Sequence, residues 1–387
     1  MTRVFISCGE PSGDLYAAAL ADRLKALDPA ASVTGLGGGR LRAAGATLAG
    51  DFGGLTVTGL VEALEVVPRS LAMLRRLVRA AREQRPDVCV LIDFPEFNFR
   101  LAAEMKKLGV PVVYYIPPQA WAWRRGRLKT IARLADRILV IFPFEREIYR
   151  AAGTPVTFVG HPLLDLANPT CPRGEFLAGI GADPSRPTLG LLPGSRANEV
   201  ERLLPALAGA LPPIATRVPG VQVLVARAPG LADALFAPLS AAPCPIHIVE
   251  DRTDDVLASV DAAVTASGTA TVQAAIHQCP MVIVYKVAPL TYRALRRLVH
   301  VETIGMANLV AGARVAPELV QDACTSEAIA AEVVRMLTDP DLRATTREAL
   351  SEVRAKLGGE GASERVAEIV LGTARRSPRN PSLSLEP

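Results

Sequence analysis

Two carboxylates follow a buried-looking apolar run in the stretch LIDFPEFNFRLA, residues 91–102. Asp93 and Glu96 are three residues apart across Pro95, and Asn98, a candidate substrate contact, stands at the predicted start of a helix. A carboxylate at the end of a buried strand can act as a general base if it reaches a substrate hydroxyl. The structural alternative is that Asp93 ends the strand and Asn98 caps the helix. We take Asp93 and Glu96 as candidate catalytic bases, with this alternative open.

A turn in the second half of the chain has the composition of a phosphate site. In LGLLPGSRANEVERLLP, residues 189–205, the residues Gly194, Ser195 and Arg196 lie between an apolar run and a helical pattern. Backbone N–H groups at a helix N-terminus bind phosphate, and an arginine adds positive charge. This turn is therefore a candidate binding site for a phosphorylated ligand.

A second turn of this kind lies in TASGTATVQAAI, residues 265–276. Ser267, Gly268 and Thr269 supply hydroxyl groups and amides at another predicted helix N-terminus. Neither turn carries the Lys-Ser/Thr pair of a P-loop, and no carboxylate pair is reserved for Mg²⁺. The pattern favours a metal-independent diphosphate site over an ATPase.

Two stretches of the N-terminal half add candidate ligand contacts. In SCGEPSGDLYAAAL, Ser12 or Asp14 can cap the following helix, whereas Glu10 has no evident packing role at a strand end. This turn is not a dinucleotide-binding GxGxxG motif. The stretch YYIPPQAWAWRRGR, residues 114–127, holds both tryptophans of the chain beside three arginines. Trp121 can stack on a sugar, or it can anchor a loop at a lipid interface.

Both halves of the chain alternate short apolar runs, such as VCVLIDF and PMVIVYK, with amphipathic helical stretches. This alternation predicts α/β architecture, with two doubly wound parallel sheets covered by helices. The carboxyl ends of the strands should face a central cleft, where ligands bind in such sheets. The predicted regions are an N-terminal domain at 1–165, a linker at 166–187, a C-terminal domain at 188–345, closing helices at 346–372 and a disordered tail at 373–387.

The composition argues against several classes of protein. The formal net charge is +4 and no dense run of Lys and Arg occurs outside short helical faces, so binding to nucleic acid is not expected. The six cysteines are scattered without a CxxC motif, which indicates reduced thiols. No signal peptide or membrane span is expected. The basic amphipathic stretches at 69–82 and 289–300 fit an anionic lipid surface, or equally an ordinary outer helix.

Seven motifs occur in the order typical of one family: GEPSGD, DFPEFN, YYIPPQAWAW, FVGHPL, LLPGSR, ASGTAT and PMVIVYK. Across residues 3–345 the chain resembles the lipid-A-disaccharide synthases. The resemblance implies a GT-B glycosyltransferase with two Rossmann-like domains. Such an enzyme transfers 2,3-diacylglucosamine, with inversion, from its UDP derivative to the 6-hydroxyl of 2,3-diacylglucosamine 1-phosphate. It implies no cofactor or metal, a cytoplasmic and peripheral place at the inner face of the inner membrane, and leaves a homodimer open.

The resemblance also assigns roles to single residues. The catalytic carboxylate of the family lies in the DxPxFN stretch, where Glu96 takes the position of the base and Asp93 is the alternative. Arg196 matches an arginine of the UDP site, and Asn308 matches an asparagine of the same cleft. Gln273 stands where the family has a glutamate that holds ribose or uracil. Loss of that charge weakens the hydrogen bond by about 1 kcal/mol, so we expect Gln273→Glu to tighten UDP binding.

Two other functions stay open at the level of sequence. A different GT-B enzyme, such as a UDP-N-acetylglucosamine epimerase or a glycolipid synthase, uses the same kind of donor site. A catalytically inactive, membrane-associated UDP-sugar-binding protein is the other alternative. Gln273 supports that third interpretation, whereas the presence of Glu96 and Arg196 argues against it.

Overall fold

The computed structural model of the 387-residue chain describes residues 1–53, 60–119, 126–288 and 303–376. Trp121, the basic stretch at 289–300 and the predicted tail from residue 377 onward lie outside these ranges. The strands are β1 (Arg3–Ser7), β2 (Ser32–Gly37), β3 (Thr47–Asp51), β4 (Val88–Ile92), β5 (Val112–Tyr115), β6 (Arg137–Val140), β7 (Val156–Phe158), β8 (Thr188–Leu192), β9 (Gln222–Arg227), β10 (Ile246–Glu250), β11 (Ala262–Ala266), β12 (Met281–Tyr285) and β13 (Glu318–Val320).

Helices alternate with these strands along the described chain, as the sequence predicts. They are α1 (Pro11–Leu27), α2 (Gly39–Ala43), α3 (Leu60–Gln84), α4 (Pro95–Lys107), α5 (Gly126–Leu134), α6 (Glu145–Arg150), α7 (Leu163–Leu166), α8 (Arg173–Gly179), α9 (Ala197–Arg217), α10 (Thr253–Ser259), α11 (Thr269–Ile276), α12 (Met306–Ala311), α13 (Ser326–Thr338), α14 (Pro340–Lys356) and α15 (Ala362–Arg375). Short 3₁₀ helices occur at Asp233–Ala241 and Gln321–Ala323.

The first compact unit comprises Met1–Pro162 and the segment that begins at Gly359. Its seven strands form one parallel sheet in the order β3-β2-β1-β4-β5-β6-β7. Every residue of β4 and β5 is buried, as expected for a parallel sheet with helices on both faces. One face of the sheet packs with α3 and α4 into an apolar core that includes Phe5, Leu91 and Tyr114.

The second compact unit is Leu163–Gly358. Its six strands are also parallel, in the order β10-β9-β8-β11-β12-β13. Its apolar core joins the sheet to α9 and α13 through residues such as Leu191, Leu204 and Val333. The predicted α/β class, with two doubly wound parallel sheets, is confirmed.

Each sheet changes its winding direction once. The chain lays β2 and β3 on one side of β1 and then returns to place β4 on the other side. The second unit repeats this reversal between β8 and β11. Ligands of open α/β sheets bind beside the carboxyl ends of the strands at such a reversal. The turns after β1, β4, β8 and β11 are four of the turns in which the sequence predicts chemistry.

The compact units differ from the predicted regions in two places. Helix α15, predicted among the closing helices, belongs to the first unit and packs on α1, because its apolar face is buried there. The predicted linker at 166–187 contains α8, which packs on α10 inside the second unit. There the N–H and hydroxyl of Thr170 bind Asp255 at 2.6 and 2.9 Å. The Pro and Gly residues of the predicted linker therefore indicate irregular backbone, but this segment packs inside the second unit.

Candidate functional site

The turn after β1 is built to receive the turn after β4. A Cβ atom on Gly9 would lie 2.1 Å from Cγ of Phe94, so only glycine leaves room for that ring. Phe94 also stacks on Phe97, with ring centroids 5.2 Å apart. The two turns at the first sheet reversal are therefore in direct contact.

Asp14 caps a different helix from the one that the sequence suggests. Its buried carboxylate accepts hydrogen bonds from Gly38 N (2.7 Å), Arg40 N (2.9 Å) and Leu41 N (3.2 Å), at the start of α2. Glu10 occupies the N-cap position of α1 without a side-chain capping bond, and Ser12 is half-buried in the first turn. Ligand contact by Glu10 and Ser12 stays a prediction.

Asn98 ties the ends of β1 and β4 together. It lies in the first turn of α4 rather than at its cap, and it is completely buried. Its Oδ1 accepts a hydrogen bond from the Ser7 hydroxyl at 2.7 Å, and its Nδ2 donates to Asp93 O at 2.7 Å. Longer bonds of 3.3 Å reach Ser7 O and Ile92 O. The observed role of Asn98 is to hold the turn that carries Asp93, while substrate contact stays a prediction.

The backbone around Asp93 is strained. Asp93, Phe94 and Ile116 have φ angles of 46°, 51° and 56°, in the left-handed region that residues with a side chain rarely adopt. Asp93 N donates to Ile116 O at 3.1 Å, and Asp93 O accepts from the Tyr114 hydroxyl at 3.0 Å. Strain of this kind persists only where surrounding contacts impose it, and such places are commonly functional sites.

A cavity of about 240 Å³ opens at these strained residues. It lies beside the carboxyl ends of β4, β5 and β6 in the first unit. Carboxylates, a guanidinium and an amide share its wall with apolar groups, which suits a ligand with hydroxyl groups. The lining residues are Asp93, Pro95, Ile116, Pro117, Pro118, Gln119, Arg127, Ile141, Phe142 and Glu145.

The two candidate bases have different surroundings. Asp93 lines the cavity and is half-buried. Glu96 is 71% exposed and forms an ion pair with Arg127. The Arg127 guanidinium also lies over the Phe99 ring, 5.7 Å from its centroid, and it lines the cavity. Of the two candidate bases, Asp93 therefore lines the cavity, and Glu96 is placed to orient Arg127.

Glu145 is a cavity residue that sequence reasoning misses. It begins α6 after β6, is only 2% exposed, and accepts a long hydrogen bond of 3.4 Å from Phe142 N. Burial, and then the charge of Glu145, raise the pKa of Tyr149, whose hydroxyl donates to Pro118 O at 2.8 Å. Glu145 could have been recognised from its position in the sequence, because it follows a buried strand as Asp93 does.

The PGSR turn of the second unit already holds a carboxylate. Ser195 N donates to Glu199 Oε2 at 3.2 Å, and Arg196 Nη1 donates to Glu199 Oε1 at 2.8 Å. Gly194 has a φ of 121°, and a Cβ there would lie 2.6 Å from Glu199 Oε2. Burial raises the pKa of the neighbouring Tyr285, and the Glu199 charge adds to this shift. The turn thus binds an anion, which in this structure is its own Glu199.

The second predicted phosphate turn is partly committed to the fold. Ser267 donates its N–H to Val284 O at 3.0 Å and its hydroxyl to Ile304 O at 3.1 Å. Gly268, with a φ of 155°, and Thr269 are exposed at the start of α11. The backbone N–H groups of these two exposed residues at the helix N-terminus are therefore better placed for an anion than the Ser267 hydroxyl.

Asn308 uses its whole amide inside the second unit. Its Nδ2 donates to Ala316 O at 2.9 Å and to Glu318 Oε1 at 2.7 Å. Its Oδ1 accepts from Val315 N at 2.8 Å and Ala316 N at 2.9 Å. A primary amide has two donors and two acceptor positions, so none remains for a ligand. The observed role of Asn308 is to fix α12, and the predicted hydrogen bond to a ligand would require one of these four bonds to break.

Gln273 lies on α11, and its amide faces α10. Its Nε2 donates to Asp254 Oδ1 at 3.0 Å, and His277 Nε2 lies 3.0 Å from the same oxygen. Gln273 therefore belongs to a polar cluster with Asp254 and His277. The sequence predicts UDP binding by Gln273 but does not predict these two partners.

The described ranges of the chain lack two kinds of feature. They contain no group of three or more His, Cys, Asp or Glu side chains arranged to hold a metal ion. They also contain no helix with the length and apolar character needed to cross a membrane.

Comparisons with known proteins agree with the motif order. The model of the family described as lipid-A-disaccharide synthetase matches residues 4–371. The lipid-A-disaccharide synthase of Geobacter metallireducens is 48% identical over 373 residues, which cover 95% of this chain and 96% of that protein.

Two solved structures share the fold. A calicheamicin glycosyltransferase has a TM-score of 0.60 at 17% identity, covering 98% of this chain and 99% of its own. A UDP-GlcNAc 2-epimerase of Neisseria meningitidis has a TM-score of 0.67 at 11% identity, covering 96% and 99%. These likenesses place the architecture among GT-B proteins.

We predict that Asn98→Ala lowers the free energy of unfolding by about 2–4 kcal/mol, because it leaves buried polar groups of the β1 and β4 turns without their partner. Urea unfolding followed by circular dichroism measures this change. The control is Asn168→Ala, which removes one exposed bond to Asp165 O. A loss no larger than that of the control would contradict the proposed tie.

Proposed function

The chain belongs to the lipid-A-disaccharide synthetase family, and we propose that it joins two acylated glucosamine units. The donor is UDP-2,3-diacylglucosamine, the acceptor is 2,3-diacylglucosamine 1-phosphate, and the products are the β-1,6 disaccharide 1-phosphate and UDP. The family match over residues 4–371 carries this proposal. Carboxylates at the first sheet reversal and anion-binding turns at the second supply the groups that the reaction needs.

Asp93 is the general base of the proposal. Its carboxylate takes the proton of the acceptor 6-hydroxyl as that oxygen bonds to the anomeric carbon of the donor. The bond from that carbon to the UDP oxygen breaks, and the configuration inverts. Asp93 is preferred to Glu96 because it lines the cavity, while Glu96 is exposed and paired with Arg127. We therefore propose Asp93 as the base, whereas the family resemblance favours Glu96 in the same motif.

The second unit stabilises the departing diphosphate in this proposal. Ser195 N–H, the Arg196 guanidinium and the backbone N–H groups of the exposed residues Gly268 and Thr269 are donors suited to phosphate oxygens. Glu199 now accepts from both Ser195 and Arg196, so UDP has to displace it. In the absence of the UDP-sugar, Ser195 and Arg196 therefore keep Glu199 as their hydrogen-bond partner.

The proposed location is the inner face of the inner membrane, through peripheral contact. Val67 and Leu71 are 50% and 37% exposed on α3, a helix that also carries Arg69, Arg75 and Arg76 on its exposed surface. Exposed apolar residues among arginines bind an anionic lipid surface. The acyl chains of both proposed substrates are apolar, so they favour a lipid environment. No described feature favours a homodimer.

Turnover of the two acylated substrates tests the function, and two variants test the base. We expect the purified chain to release UDP and the disaccharide, and Asp93→Asn to lower kcat about a thousandfold. Glu96→Gln should lower kcat less than about tenfold, since it acts through Arg127. Loss of turnover in Glu96→Gln with Asp93→Asn still active would return the base role to Glu96. Turnover only with unacylated UDP-sugar would favour an epimerase.

Removing the charge of Glu199 should tighten UDP binding. We expect the Kd for UDP in Glu199→Gln to fall about fivefold, because the diphosphate no longer competes with a carboxylate for Ser195 and Arg196. Calorimetry measures the Kd, and Glu201→Gln, an exposed glutamate of the same helix, is the matched control. A weaker affinity in Glu199→Gln would mean that Glu199 orients Arg196 for the ligand.

The α3 surface can be tested on vesicles. The double variant Val67→Ser with Leu71→Ser should bind vesicles of phosphatidylglycerol and phosphatidylethanolamine about tenfold more weakly, because less apolar surface enters the lipid. Cosedimentation measures the bound fraction. Leu27→Ser with Ile248→Ser is the control, because it removes two other exposed apolar side chains. Equal binding by both double variants would exclude α3 as the contact.

A further inference from the structure

Asp254, Gln273 and His277 form a polar cluster between two helices of the second unit. Asp254 lies in the first turn of α10, Gln273 lies on α11, and His277 is the C-cap of α11. The Gln273 Nε2 and the His277 Nε2 each lie 3.0 Å from Asp254 Oδ1. One carboxylate oxygen therefore holds two side chains that are four residues apart on the same helix.

This contact decides which end of the Gln273 amide is left for other partners. The two ends of a primary amide have nearly the same shape, but one donates hydrogen bonds and the other accepts them. A carboxylate only accepts, so the Gln273 NH₂ group must face Asp254 and the Oε1 atom must point away from it. Gln273 thus presents an acceptor, the function that a glutamate would have at this position.

We propose that Asp254 is a positioning residue of the donor site: it holds Gln273 so that the Gln273 Oε1 accepts a hydrogen bond from a ribose hydroxyl of the UDP-sugar. Asp254 also supplies a negative charge next to the amide, which polarises the amide toward a stronger acceptor. This inference rests on the proposed function, because it assumes that a UDP-sugar binds at the second unit.

The proposal reverses the sequence expectation for Gln273→Glu. A glutamate at 273 would place its carboxylate at the position of an amide that now lies 3.0 Å from Asp254 Oδ1. Two carboxylates at that distance repel each other, so one of them moves or takes up a proton. We therefore expect the single substitution to weaken UDP binding rather than tighten it, although it restores the residue type of the family.

The alternative role for the cluster is a plain structural link between α10 and α11. Such a link would change the stability of the fold and leave the affinity for UDP alone. A positioning role changes UDP affinity and the donor KM, with little effect on kcat, because the contact is made equally in the ground state and the transition state. The two roles are separated by measuring both quantities on the same variants.

The experiment is a double-mutant cycle on the full chain. The variants are Gln273→Glu, Asp254→Asn and the two together, and the measurements are the Kd for UDP, the donor KM, kcat and thermal unfolding. Gln273→Glu should raise the Kd and the donor KM about tenfold, and Asp254→Asn should raise them about threefold. The double variant should return to within about threefold of the unaltered chain, because the new asparagine amide donates to the new glutamate.

Asp341→Asn is the matched control, since Asp341 is an exposed aspartate in the first turn of α14 and should leave all four quantities unchanged. Tighter UDP binding in Gln273→Glu would overturn the proposal. So would a cycle that couples in thermal unfolding but not in the Kd for UDP. If the unaltered chain binds no UDP, the proposed function itself fails, and this outcome is distinct from normal UDP binding with an uncoupled cycle.

Discussion

The reversal of strand order in each parallel sheet is the constraint on which the sites depend. After β1 and after β4 the chain leaves toward opposite faces of the first sheet, and it does so again after β8 and β11. Connections that diverge in this way leave the strand ends between them uncovered. Backbone groups and short polar side chains at these ends can then face a ligand while the strands stay buried. The candidate carboxylates after β4 and the candidate anion-binding turns after β8 and β11 all lie at such strand ends.

Residues at a strand-order reversal also need a rigid backbone if they are to hold a substrate. In the first unit, hydrogen bonds hold a strained backbone in place around the cavity. Three non-glycine residues around the cavity adopt left-handed backbone conformations, which cost free energy. The buried Asn98 amide and the Tyr114 hydroxyl both donate to Asp93 O, so the strained form is the one in which these buried groups are satisfied. The free energy stored in the backbone is offset by hydrogen bonds from Asn98 of α4 and Tyr114 of β5.

The alternation of apolar runs and helices was enough to predict the α/β class, because strand burial depends on local sequence. The turns after β1, β4, β8 and β11 were also recognisable, because each of them follows an apolar run in the sequence. Partners from other segments of the chain could not be predicted: Asp14 caps α2, and the Asn308 amide bonds Ala316 and Glu318. The pairing of Arg196 with Glu199 follows from their helical spacing, whereas the bond from Ser195 N to the same carboxylate does not. The preference for Asp93 over Glu96 rests on the lining of the cavity and on the exposed ion pair of Glu96 with Arg127, which no motif reveals.

Gln273 shows what such partners do to the interpretation of a motif. Taken alone, a glutamine in place of a glutamate is the loss of a charge, and weaker binding follows. In the folded chain the charge is present on Asp254, and a glutamine is the side chain that can donate to that carboxylate while still presenting an acceptor of its own. A glutamate beside the same aspartate would crowd two negative charges into one cluster. The glutamine at 273 therefore has to be interpreted together with Asp254. The second unit keeps a carboxylate at this cluster, but it is carried by residue 254 rather than by residue 273.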